Sequence, residues 1–163
     1  MARAMTGNIT RATDTADLTS IHDSFSSILT RWSAAGVQEV ILARAQADID
    51  PAAMTVLNVL VRADGPSRPS HVAQQTATGA SNVSKVLARM EERGLVVRAT
   101  DPADQRAVSV TVTAAGQRLH EDIVRTSNAM LAELLHDWSS ADVKQFSALL
   151  ARYAETLQST VLR

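Results

Sequence analysis

The chain has 163 residues, 45% hydrophobic and 3% aromatic, with a formal net charge of −1 and no cysteine. That length supports one domain with a real core, built mostly of Leu, Val, Ala and Ile. The missing thiols exclude disulfides, cysteine-held zinc and cysteine redox sensing, and so small a net charge does not by itself announce a nucleic-acid binder.

Residues 1–16 read as a flexible polar tail, with a DNA-touching arm through Arg3 and Arg11 as the lesser reading. No apolar run suits a signal peptide or reaches the ~20 residues of a membrane span, so a cytoplasmic protein with no membrane partner is expected. Leu18, Ile21, Phe25, Ile28, Leu29 and Trp32 recur at steps that mark one helix face. Gly36 interrupts them, and Val37, Val40 and Ile41 resume, which predicts a long, bent first helix over 16–47. Asp50-Pro51 supplies an N-cap acceptor and a first-turn proline. The helix it opens carries Met54, Val56, Leu57, Leu60 and Val61 and ends near Asp64-Gly65-Pro66.

A short helix follows from Pro69, with Val72 and Ala73 inward, and a turn at Ala77-Thr78-Gly79 leads into ASNVSKVLARMEER, stopped by Gly94. A strand LVVRAT, a charged tip DPADQR and an alternating strand AVSVTVT come next. Thr113 then caps a long helix with Leu119, Ile123, Met130, Leu131, Leu134, Leu135 and Trp138 as its apolar set. Ser139 and Asp142 resemble a capping box, opening a last helix that carries Val143, Phe146, Leu150, Tyr153, Leu157 and Val161.

The fold class is therefore mainly α with a small β-hairpin (α+β). A compact unit over about 51–113 is flanked by long amphipathic helices, which need cover for their apolar faces. The two terminal helices can cover each other or pair with a second copy; a twofold homodimer is the commonest arrangement. Residues 62–106 carry seven basic and five acidic side chains, whereas 1–61 carry four and six and 107–163 carry five and six. The positive excess lies in the segment that looks suited to DNA.

On a helical wheel Val83, Val86, Leu87 and Met90 form a buried stripe. Ser81, Lys85 and Ala88 point away from it, flanked by Asn82, Arg89 and Ser84. Short polar side chains near a helix start let the backbone approach the major groove and still bond base edges. Asn82 suits adenine and Lys85 suits guanine or phosphate. The plain alternative is a solvated helix face, which the two preceding helices and the following hairpin disfavour. At the hairpin tip Arg106 suits the negative potential of a narrow minor groove, held by Asp104 through a bidentate pair. The alternative there is an ordinary surface salt bridge.

The stretches SNVSKVLARMEERGLVVR, DPADQRA and TAAG together resemble the MarR family of winged helix-turn-helix regulators, over about residues 50–120. The resemblance implies a single domain over 17–163. Residues 17–49 and 114–163 would be N- and C-terminal dimerisation helices, and 50–113 a winged helix-turn-helix DNA-binding lobe. It implies an obligate homodimer on double-stranded DNA with a pseudo-palindromic operator, usually as a repressor, often relieved by a small, often aromatic, effector. Ser81, Asn82, Ser84 and Lys85 would face the major groove, Arg106 with Asp104 the minor groove, and Ser70 and His71 the phosphates. Gly79 stands where a capping Ser is frequent. Pro102 and Gln105 replace basic residues common at the wing tip, so a modest salt slope is expected.

A small organic ligand is the default effector, with Phe25, Arg31 and Trp32 as candidate lining residues; ordinary core packing is the alternative for the two aromatics. His22, His71, His120 and His136 are scattered, and a metal site where His22 and His120 meet is the lesser reading, so no metal and no cofactor is expected. No HExxH, GxSxG, P-loop or dinucleotide fingerprint occurs, so an enzyme is not expected. The remaining competitor is a winged-helix module for protein–protein assembly without DNA binding, disfavoured by the polar, basic face of Asn82, Lys85 and Arg89.

Overall fold

The structure is a computed structural model that describes residues 14–33, 36–63, 65–76, 78–101 and 104–160, and their side chains except at 32, 33, 101 and 104–107. Its elements run α1 (Thr15–Ser33), α2 (Val37–Arg44), α3 (Pro51–Arg62), α4 (Pro69–Gln75), α5 (Ala80–Glu92), β1 (Val96–Asp101), β2 (Asp104–Val112), α6 (Ala114–Leu134) and α7 (Ser140–Thr160). The tail expected over 1–16 lies outside the described residues except at its end, where Thr15 already opens α1.

The long first helix expected over 16–47 is two helices, α1 and α2, with Gly36 as the N-cap of the second. The second helix ends at Arg44, short of the expected 47, in a Schellman turn. The Gln46 N–H donates to the Ala43 carbonyl and the Ala47 N–H to the Leu42 carbonyl. That turn needs a left-handed residue, and Gln46 takes it at φ 52°.

The next helix begins as its sequence dictates. Asp50 is extended, its Oδ1 accepts from the Ala53 N–H at 2.8 Å, and Pro51 occupies the first turn. Its apolar positions Ala53, Val56, Leu57 and Leu60 meet Val72 of α4, Val83, Val86, Leu87 and Met90 of α5, and Leu95, Val96 and Val110 of the hairpin in one core. A second, smaller core joins Ile41 and Leu42 of α2, Met54 of α3 and Ile123 of α6. The sheet is a two-stranded antiparallel hairpin, paired from Val96↔Val112 to Thr100↔Val108, with a register shift between Thr100 and Asp101. Ser67, in the α3–α4 connection, exchanges backbone bonds of 2.9 Å with Val110 in both directions and so adds a one-residue bridge.

Burial fades along the hairpin: Val110 is 0% exposed, Val112 is partly covered and Val108 is 46% exposed. The alternating pattern sets which face each valine occupies, but the core beneath ends before the tip. The terminal helices behave differently again. No residue of α7 is buried, and Ile21 of α1 and Leu150 of α7 are 56% and 49% exposed. The contacts of α1 run to α2 and, through the Phe25 ring, to Tyr153 of α7 at a centroid distance of 5.6 Å.

The helix after the hairpin is anchored by a compact junction. Thr113 Oγ1 accepts from the Gly116 N–H at 3.1 Å, donates to the Gly94 carbonyl at 2.6 Å, and the Thr113 N–H donates to the Leu95 carbonyl at 3.0 Å. A Cβ on Gly116 would stand 2.2 Å from the Leu95 carbonyl oxygen and 2.8 Å from Val112 Cγ1. This accounts for the glycine of the TAAG turn, which carries the first turn of α6 against the hairpin base.

Two substitutions should move stability in opposite directions. Gln46→Gly should stabilise by about 0.5–1 kcal/mol, because it relieves a left-handed conformation that costs other residues ~1–2 kcal/mol. Gly116→Ala should destabilise by about 2–3 kcal/mol, since backbone blocks the new methyl. Urea unfolding of the two variants checks both signs.

Candidate nucleic-acid interface

Helix α5 is buried on one side and open on the other. Val83, Val86, Leu87 and Met90 are at most 1% exposed, which fixes the rotation of the helix. At 3.6 residues per turn the opposite side then carries Ser81 and Lys85, with Asn82 and Ser84 on its two flanks, all exposed. Gly79 caps the helix with no side-chain bond, and its carbonyl accepts from Asn82 and Val83. The missing capping side chain leaves the start of α5 uncluttered, with the partial positive charge of the helix dipole on the same end as the polar set.

The other end of α5 closes in a Schellman turn. Gly94 takes φ 68°, its N–H donates to the Glu91 carbonyl, and the Leu95 N–H donates to the Met90 carbonyl. Arg98 of β1 lies across the helix. Its Nη2 donates to the Ser84 carbonyl at 3.2 Å and its Nε pairs with Glu91 at 3.2 Å. The hairpin therefore holds the polar stretch of α5 directly, through a residue that the sequence reading did not single out.

The candidate DNA-facing residues divide into four groups. Ser81, Asn82, Ser84 and Lys85 share one exposed edge, and among the described residues Lys85 has no ion-pair partner. Ser70 and His71 sit exposed in the first turn of α4, where His71 Nε2 lies 3.1 Å from Gln75 Nε2. Arg89 is exposed on the flank of the outer face, as expected, and its Nη2 also lies 2.7 Å from Oδ2 of Asp50, the N-cap of α3. The wheel placed Arg89 on the flank of the outer face but held no information on a partner 39 positions earlier. Asp104 and Arg106 belong to the backbone of β2, and their side chains lie outside those described.

The other candidates stay apart from this edge. Phe25 packs on Tyr153, Arg31 is exposed, and the Trp32 side chain is not among those described. Among the described residues no group of three His, Cys, Asp or Glu side chains is placed to hold a metal. His22 is exposed on α1. His120, on α6, shares a concavity of about 470 Å³ with Val61 of α3 and with Gln117, Glu121, Val124, Arg125 and Asn128 of its own helix. Burial, and secondarily the Arg62 guanidinium, hold the His120 imidazole below the usual histidine range, against an opposing pull from Glu121.

The comparisons with known proteins agree with this geometry. A model of the MarR family matches residues 47–107. The HTH-type transcriptional regulator YxaD of Bacillus subtilis is 28% identical over 88 residues, which cover 54% of this chain and 62% of that protein. The chain thus spans under two thirds of that relative's length. A MarR family protein from Bacillus stearothermophilus superposes with a TM-score of 0.76 at 19% identity, over 90% of this chain and 99% of the other. Streptococcus pneumoniae FabT in complex with DNA superposes with a TM-score of 0.64 at 20% identity, over 88% and 99%. These structural matches speak for the fold.

A pH dependence follows from His120. Its folded pKa is depressed, so acidification protonates the unfolded chain first. Stability should fall as pH drops below ~6.5 and level off once the folded imidazole is protonated too. His120→Gln should flatten this part of the profile, as read by urea midpoints across pH 5–8.

The match over residues 47–107, on a helix-turn-helix and hairpin of this geometry, makes that segment of the chain similar to the MarR family, and the whole chain shares the winged-helix fold of the MarR family protein from Bacillus stearothermophilus.

Proposed function

We propose that this chain is a homodimeric, sequence-specific DNA-binding transcriptional regulator. The observation that carries the reading is the exposed edge of α5. Ser81, Asn82, Ser84 and Lys85 stand together on a helix whose opposite stripe is buried, beside a hairpin tied to the same helix by Arg98. An edge of that chemistry suits the major groove, with Asn82 and Lys85 reading bases or phosphates. The hairpin tip, with Arg106 supported by Asp104, is assigned to the minor groove, and Ser70 and His71 to phosphates. FabT, of the same fold, is in complex with DNA in its structure. A protein–protein module fits less well, because the outer edge of α5 is polar.

The division of labour is assigned in the same way. Residues 50–113 form the DNA-binding lobe, and 17–49 and 114–163 the dimerisation segments. The apolar residues that α1 and α7 leave exposed support a second copy as their cover. Repression of a pseudo-palindromic operator, relieved by a small organic effector touching Phe25, Arg31 and Trp32, is the regulatory mode that the similarity to the MarR family favours. A cytoplasmic location is part of the same proposal; separately, among the described residues no helix is long and apolar enough to cross a membrane.

The test is binding to a duplex recovered from a random pool by the wild-type protein. Arg106→Ala should weaken binding without lowering the unfolding midpoint. Lys85→Ala should also lower the slope of log affinity on log salt by about one. Footprinting should show two half-sites ~10 bp apart. Affinity that ignores salt and both substitutions would sink the DNA reading.

A further inference from the structure

Two arginines one helical turn apart leave the outer side of α5 and reach the connection before α3. Arg89 pairs with Asp50 at 2.7 Å, and Arg93 pairs with Asp48. Four residues of helix advance ~6 Å, and the two aspartates stand two residues apart in the connection. The paired residues Asp50, Arg89 and Arg93 line a surface concavity of about 260 Å³ together with Ile49, Ala53 and Met90.

We propose that Asp50–Arg89 and Asp48–Arg93 form a clasp that sets the tilt of the recognition helix. Arg89 is then a positioning residue and not a DNA contact. Asp50 is well suited to the role, because its Oδ1 is already fixed by the Ala53 N–H while its Oδ2 takes the guanidinium. The clasp grips the C-terminal half of α5, and Arg98 grips the Ser84 carbonyl nearer its start. A change at the clasp therefore swings Asn82 and Lys85 about a point close to them. This inference rests on the DNA-binding reading above, in that the tilt matters for base recognition.

The test uses the full chain, the selected duplex and a scrambled duplex of equal length. Asp50→Asn keeps a good capping acceptor and removes the charge; Arg89→Gln removes the cation. Each should lower affinity for the selected duplex roughly 2- to 5-fold, the range of exposed ion pairs. The double variant should lose no more than either single one. Affinity for the scrambled duplex and the salt slope should not change, and α5 amides near Arg89 should exchange faster in the free protein. The clasp is overturned if Arg89→Gln lowers the salt slope by about one and weakens both duplexes alike, or if Asp50→Asn tightens binding by releasing Arg89. Should selection recover no duplex at all, the DNA reading falls. Amide exchange then decides the clasp separately, and unchanged exchange in both variants refutes it.

Discussion

Val83, Val86, Leu87 and Met90 are at most 1% exposed and share one core with α3, α4 and both strands. Full burial of each such side chain contributes ~1.5–3 kcal/mol. Turning α5 by one residue, ~100°, would lift part of that stripe into water. No exposed ion pair at ~0–1 kcal/mol can compete with that loss. The rotation of α5 is therefore set by hydrophobic burial, and with it the identity of the side chains on its open edge. Tilt is a softer coordinate, controlled by charged ties at the periphery.

This division changes the meaning of the basic residues. Composition places a positive excess between 62 and 106. In the folded chain Arg89, Arg93 and Arg98 each meet a carboxylate. Much of the positive charge in this segment is neutralised locally and acts as scaffolding. Lys85 and Arg62 have no ion pair among the described residues. The field that a polyanion would meet is thus narrower than a count of arginines suggests.

What was legible in the sequence was local or periodic. The buried stripe of α5 followed from spacing alone, and the caps at Asp50 and Thr113 from residue types that accept backbone N–H bonds within one turn. At Ser139 the Asp142 N–H donates to Ser139 Oγ at 3.1 Å, as a capping box requires, but the hydroxyl also donates to the Asp142 carboxylate. What stayed hidden depended on partners far along the chain. Arg89 looks like a surface residue until Asp50 is brought beside it. Gly116 looks like an indifferent turn residue until the Leu95 carbonyl occupies the space of its missing side chain. Val108 carries the same alternation as Val110, yet the core does not extend far enough to cover it.

The junction at Gly94, Leu95, Thr113 and Gly116 also limits how the chain can vary in length. Its contacts join positions on both sides of the hairpin, so an added or deleted residue next to any of them would break several backbone partners at once. The register shift between Thr100 and Asp101 lies at the far end of the same hairpin, beyond the last buried valine. Loop length can change there while the pairing from Val96 to Thr100 and the start of α6 stay in place. Insertions and deletions among relatives should therefore concentrate at the wing tip and be rare at its base, so that the reach of the wing can diversify while the seating of α5 stays fixed.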